Sequence, residues 1–132
     1  MSVKKMMIKN VLFICVENAC RSQLAESISN QLFSNKLRAF SAGSKPTRKV
    51  NPKTISSLKR IGINHFGYPK GIRDVENESY DCVVGMGCGD TCPAIPGAKK
   101  FEWDIPDPKL LNNEEFDKVR DLIKKKIILD LI

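Results

Sequence analysis

The chain has 132 residues, 42% of them hydrophobic and 28% charged. That is one domain's length, enough for a buried core, with the composition of an ordinary soluble protein. The net charge of +7 favours anionic partners in general: oxyanions, acidic proteins or nucleic acid. The apolar run after the basic N-terminus is cut off by Glu17, too short for a secretory leader or a membrane span. A cytoplasmic protein is expected, and there thiols stay reduced. Five cysteines without a regular framework then point to catalysis or metal binding rather than structural disulfides.

In chain order, Val11-Leu12-Phe13-Ile14 running to Cys15 is continuously apolar, the pattern of a parallel strand buried on both faces. From Ser22 to about Phe33, Leu24, Ala25, Ile28 and Leu32 form a helical stripe. Arg38 to Ser41 reads as a second strand, ended by Ala42-Gly43. Asn51-Pro52 is an N-cap followed by proline at the first helical position. Ile55, Leu58 and Ile61 are expected to line that helix, and Gly62 to stop it. Signals from Asn64 to Ser79 are mixed, with a loop over 67–71 and a short helix expected near Asp74 to Asn77. A third strand is expected from Cys82 to Met86, then a loop rich in glycine and cysteine over 87–93. A fourth strand is expected over 99–103. The prolines at 106 and 108 require a loop over 104–109. Asn112 or Asn113 caps the last helix, with Phe116, Val119, Ile123 and Ile127 on its buried face. Strands alternating with helices predict a single-domain α/β fold over 1–132: a doubly wound, four-stranded parallel sheet flanked by helices. Ligands in such sheets sit beyond the carboxyl ends of the strands. Cys15 and the loops after Met86 and Trp103 all belong at that edge.

The stretch Cys15-Val-Glu-Asn-Ala-Cys-Arg21-Ser22 joins the first strand to the first helix. Such a loop aims N–H groups and a helix N-terminus at one spot, which suits an anion, and the same environment favours a thiolate at Cys15. Cys15 and Arg21 have the Cys-x5-Arg spacing of a cysteine-dependent phosphatase loop. The thiolate attacks a tetrahedral oxyanion while the planar guanidinium and the backbone of the loop, through Asn18, Ala19, Cys20 and Ser22, hold its oxygens. The Ser22 hydroxyl could steady the thiolate, and Asn18 could lock the loop's backbone. The spacing alone is also compatible with a buried cysteine ending a strand.

The run Cys15-x-x-Asn18-x-Cys20-Arg21-Ser22, opening an α/β domain, resembles the low-molecular-weight protein tyrosine phosphatase superfamily, and within it the arsenate reductases. The resemblance extends to Ser41-Ala42-Gly43, to Val50-Asn51-Pro52, to the segment from Gly85 to Pro93 holding Cys88 and Cys92, and to Trp103 ahead of Asp107-Pro108. It implies that Asp107 is the general acid, with Asp104 the nearby alternative. It also implies that Cys88 and Cys92 relay a disulfide away from Cys15, so that arsenate leaves as arsenite. An external reductant would then reopen the disulfide: thioredoxin, a glutaredoxin or a low-molecular-weight thiol. No bound cofactor is expected. The partners implied are an arsenate- or phosphate-like oxyanion and a thioredoxin-like reductase protein, without a membrane and without nucleic acid.

No metal site is expected either, since there is no Cys-x-x-Cys pair and the single histidine, His65, lies in a distant segment. Cys82 reads as core, Cys20 as a packed thiol, and His65 as a loop or surface residue. Glu17 departs from the family, which often has glycine there, and puts negative charge near an anion site. The segment from Asn64 to Gly71 lacks the family's usual polar pattern, so a structural cation near Asn18, Glu26 and Ser41 is not assumed. Lys109-Leu110 stands where the phosphatase branch carries tyrosines, which favours the reductase. The alternative activity is hydrolysis of phosphotyrosine or a small phosphomonoester, for which Cys15 alone suffices as nucleophile. A non-catalytic oxyanion- or nucleic-acid-binding module is the third possibility.

Overall fold

The structure is a computed structural model that describes residues 8–87 and 95–132. Four parallel strands form its sheet: β1 (Lys9–Cys15), β2 (Leu37–Gly43), β3 (Cys82–Gly85) and β4 (Lys99–Glu102), in the order β2-β1-β3-β4. The chain builds outward from β1 in one direction to β2, and in the other to β3 and β4. The switch point of the topology therefore lies between β1 and β3, at the end of which Cys15 stands. Residues 11 to 15 of β1 are all buried, as the unbroken apolar run requires of a central strand.

Three helices, α1 (Arg21–Leu32), α2 (Pro52–Lys59) and α3 (Asn113–Leu131), share one core with Val11 and Phe13 on one face of the sheet. Leu24, Ala25, Ile28, Leu58, Phe116, Ile123 and Ile127 fill it. The other face, presented by Leu12 and Ile14, is covered by Val75, Tyr80 and the partly buried Phe40 and Ile72. Two caps match their sequence signals: the Asn51 side chain accepts from the Lys53 N–H, with Pro52 opening α2, and the Asn112 side chain accepts from the Glu115 N–H. Gly62 has a φ of +82°, which suits the chain reversal after α2.

Several local expectations are corrected. In α2 the inward positions are Thr54, Ser57 and Leu58, while Ile55 is exposed. Polar groups take the inner face because Thr54 Oγ1 donates to the Ala19 carbonyl and Ser57 hydrogen-bonds Asp117 of α3. Leu32, at the last turn of α1, is exposed where the helix runs past the core. The short helix expected near 74–77 is a 3₁₀ turn over Ile72–Val75, entered when the Gly71 N–H bonds the Asp74 carboxylate. On α3, Arg120 is buried, its guanidinium donating to the Ser57 carbonyl and pairing with Asp117.

Candidate active site

The loop from Cys15 to Arg21 is shaped by its carbonyls. Those of Cys15, Val16 and Glu17 accept from the N–H groups of Ser44, Lys45 and Thr47, and that of Ala19 accepts from Asn51 N–H and Thr54 Oγ1. In a trans peptide the N–H points away from the C=O, so carbonyls drawn outward turn the amides of Val16, Glu17, Asn18 and Cys20 inward. Those amides share the N-terminal end of α1 with Cys15. Gly43 makes this packing possible: a Cβ there would lie 2.5 Å from the Val16 carbonyl oxygen and 2.9 Å from the Asn18 nitrogen. The glycine of Ser41-Ala42-Gly43 is thus required by the close approach of the loop.

Asn18 is fully buried with a φ of +54°, a conformation that asparagine tolerates better than most residues. Its Oδ1 accepts from the Lys70 backbone N–H at 2.8 Å and from Gln23 Nε2 at 2.9 Å. Its Nδ2 donates to Ser22 Oγ at 2.7 Å. Ser22 Oγ in turn lies 2.9 Å from Cys15 Sγ. With Asn18 occupying an acceptor site of the hydroxyl, the Ser22 proton is free to point at the sulfur. Asn18 and Ser22 therefore stand behind the pocket and brace it.

The pocket itself, a cavity of about 170 Å³, is lined by Cys15, Val16, Glu17, Ala19, Cys20, Arg21 and Asp107. Arg21 Nη1 donates to the Ile105 carbonyl at 3.2 Å, and Nη2 lies 3.9 Å from Asp107 Oδ2. Gly87, with a φ of +94°, leaves the space that the Arg21 guanidinium fills; a Cβ there would run into Nη1. Asp107 is half exposed on a loop hung between a buried and a partly buried anchor. On one side Trp103 packs on Phe13, with ring centroids 5.9 Å apart, and its Nε1 donates to Asp130. On the other, Lys53 Nζ holds the Leu111 carbonyl at 2.6 Å. Asp104 is exposed and does not line the pocket.

The structure thus brings Cys15, Ala19, Cys20, Arg21 and Asp107 to one cavity, with Asn18 and Ser22 behind it. Cys88 and Cys92 lie outside the described residues. Burial pushes the Cys20 thiol up to about 11, with the Asp107 and Cys15 charges adding and Thr54 opposing. Cys20 is therefore a protonated, packed thiol at neutral pH. Cys82, buried in β3, is likewise raised, mainly by burial.

Two residues of this architecture have no signal in the sequence. Gln23, fully buried, gives its Nε2 to Asn18 and to the Tyr68 carbonyl, so its Oε1 accepts from His65 Nε2 at 2.7 Å. His65, expected as a loop or surface residue, does lie in a loop but is half-buried, and burial, with Lys70 adding, holds its pKa below the ordinary value. Gly67 makes room for the pair, since a Cβ there would press on both side chains. Glu26 and Ser41 do come together, Ser41 Oγ donating to Glu26 at 2.8 Å, and the positive charge beside them is Lys70 Nζ at 3.5 Å. Among the described residues no group of three or more His, Cys, Asp or Glu side chains is placed to hold a metal ion.

A cysteine, an arginine and a carboxylate thus line one small cavity, a set of groups with the chemistry to bind and attack a tetrahedral oxyanion. Comparison with known proteins gives the family. The family model described as low molecular weight phosphotyrosine protein phosphatase matches residues 10–129. An arsenate reductase of Staphylococcus aureus is 36% identical over 120 residues, 88% of this chain and 91% of that protein. A solved arsenate reductase in its phosphate-binding state superposes with a TM-score of 0.81 at 29% identity, over 92% of this chain and 95% of that one. A thioredoxin-dependent arsenate reductase of Corynebacterium glutamicum gives a TM-score of 0.77 at 31% identity over 93% of this chain, which spans 60% of that longer protein. The chain belongs to the low molecular weight phosphotyrosine protein phosphatase family, on its arsenate reductase branch.

Proposed function

We propose that this chain reduces arsenate to arsenite, with Cys15 as nucleophile, Arg21 and the loop amides as oxyanion binders and Asp107 as general acid. The observation that carries this reading is the convergence of Cys15, Arg21 and Asp107 on one small cavity, in a chain similar to arsenate reductases along most of its length. The Cys15 thiolate attacks arsenic(V), forming an S–As bond. One arsenate oxygen departs as water, taking its proton from Asp107. A second thiolate then attacks Cys15 Sγ. The S–S bond forms, the S–As bond breaks, and its electron pair stays on arsenic, which leaves as arsenite. Two thiols have lost two electrons, and arsenic(V) has gained them.

Cys88 and Cys92 are the residues to which we assign the second thiolate and the thiol that takes over the disulfide. Gly87, immediately before Cys88, packs against Arg21, which supports that assignment. The reductant that resets the enzyme is a thioredoxin-type protein, as in the thioredoxin-dependent relative; a glutaredoxin or a low-molecular-weight thiol is the other source of electrons. A reduced compartment such as the cytoplasm suits a cycle run on thiols, and no described helix is long and apolar enough to cross a membrane. The 132 residues act as one domain. Hydrolysis of phosphomonoesters remains as a side reaction, because Cys15, Arg21 and Asp107 meet its needs without a second thiol.

The test is arsenate-dependent NADPH consumption with thioredoxin and thioredoxin reductase, repeated with a glutaredoxin system. Turnover in one of them is expected. Hydrolysis of an aryl phosphate at normal family rates, with no arsenate-dependent oxidation in either, would instead assign the chain to the phosphatases.

A further inference from the structure

Two charged residues without a part in the scheme above tie the acid loop to the oxyanion loop. Lys109 follows Asp107 by two residues, and its backbone N–H donates to Asp107 Oδ1 at 3.1 Å. Its Nζ reaches Glu17 Oε2 at 3.2 Å, across 92 positions of sequence. Glu17 lines the catalytic cavity beside Cys15 and Arg21, and also lines an adjoining cleft of about 190 Å³ to which Lys109 contributes. The pair therefore stands at the boundary between the two spaces. One line of contacts runs from Glu17 through Lys109 to Asp107 and on to Arg21.

This arrangement explains how a carboxylate can sit in an anion-binding loop. Unpaired, Glu17 would oppose an arriving oxyanion; paired, its charge is met by the Lys109 ammonium. The same contact gives the acid loop a grip on the rim of the pocket. We propose that Glu17 and Lys109 are positioning residues, whose ion pair straps the Asp107 loop closed over the oxyanion loop. The inference rests on Asp107 being the acid. Both side chains are partly exposed, 36% for Glu17 and 51% for Lys109, so the strap is weak, opens for exchange of substrate and product, and is screened by salt.

The test is a double-mutant cycle with E17Q, K109M and E17Q/K109M, and K109R as the conservative control. It reads kcat and KM for arsenate at low and high salt, and amide hydrogen exchange over 104–111. Each single variant is expected to lose about two- to five-fold in kcat, the scale of a partly exposed ion pair; KM should change little in E17Q and rise in K109M, which leaves the Glu17 charge unpaired. The double variant should be no worse than either single, and K109R should stay near wild type. High salt should bring the wild type down to the level of the variants. Exchange over 104–111 should quicken to the same extent in all three charge-removing variants. Losses that multiply in the double variant, a kcat/KM that rises in E17Q, or unchanged exchange would overturn the strap. Were the wild type inactive on arsenate, the functional reading would fall, and the exchange measurements alone would decide the strap.

Discussion

Asn18 Nδ2 donates to Ser22 Oγ at 2.7 Å, and that hydroxyl stands 2.9 Å from Cys15 Sγ. Asn18, the residue of the Cys15–Arg21 loop with positive φ, thus also orients the hydroxyl that faces Cys15 Sγ. The shape of the loop depends on one buried carboxamide.

Asn18→Ala removes the acceptor of two donors, the Lys70 N–H and Gln23 Nε2, and puts alanine at positive φ. Stranding these groups is expected to cost about 2 to 4 kcal/mol of folding stability. Asn18→Gly restores the backbone freedom without the hydrogen bonds, so it should recover part of the stability and little of the activity. Chemical denaturation and arsenate turnover, read on both variants, check this. Ser22→Ala removes the hydroxyl beside Cys15 Sγ and also leaves the buried Asn18 Nδ2 without its acceptor, so about a 10- to 100-fold loss of activity is expected together with about 1 to 3 kcal/mol of stability.

Replacing Asp107 separates proton delivery from binding. Asp107→Asn should lower kcat by about 100-fold or more, the scale of a lost general acid, with a smaller effect on KM. Asp104→Asn, on an exposed carboxylate that does not line the cavity, should stay within a few-fold of wild type. Steady-state kinetics on the two variants test the choice between them.

Gly87→Ala places a methyl group where Arg21 Nη1 lies and asks alanine to adopt a φ of +94°. The guanidinium must move, and its bond to the Ile105 carbonyl is lost. Weaker oxyanion binding is expected, seen as a raised inhibition constant for inorganic phosphate, with Arg21→Lys giving a comparable defect because lysine lacks the planar fork.

Much of this site was legible because its devices are local. The continuous run from Val11 to Ile14 announces a central strand, the Asn51-Pro52 pair a helix start, and the Cys15 to Ser22 run a tight strand-to-helix loop. Gln23 and His65 were hidden, because a buried polar pair joined over 42 positions leaves no periodicity. Ile55 faces solvent for a related reason: the inward face of α2 carries Thr54 and Ser57, whose partners lie in the Cys15–Arg21 loop and on α3. An apolar stripe can be counted from sequence; a hydrogen-bonded polar face cannot.

Two titrating groups at the loop, His65 and Cys20, contribute to the pH dependence of stability. His65 has its folded pKa below the ordinary 6.5, chiefly through burial, so the unfolded chain binds the proton more tightly. The stability this contributes is complete above pH 6.5 and is lost as the pH falls below it. Cys20 has the opposite sense: raised from 9.0 to about 11, it contributes stability that is complete below pH 9 and lost as the pH rises towards 11. Denaturation midpoints across pH should therefore fall on both flanks. His65→Gln should flatten the acid flank and Cys20→Ala should reduce the alkaline one.

The most direct measurement is a single turnover without external reductant: fully reduced protein is mixed with arsenate, free thiols are counted, and the disulfide is located by peptide mapping. The expected result is one arsenite formed for every two thiols lost, with the disulfide involving Cys88 or Cys92, and no arsenite from Cys15→Ser. Arsenite formed at the wild-type yield by Cys15→Ser, or arsenate left intact with all five thiols free in the wild type, would contradict it.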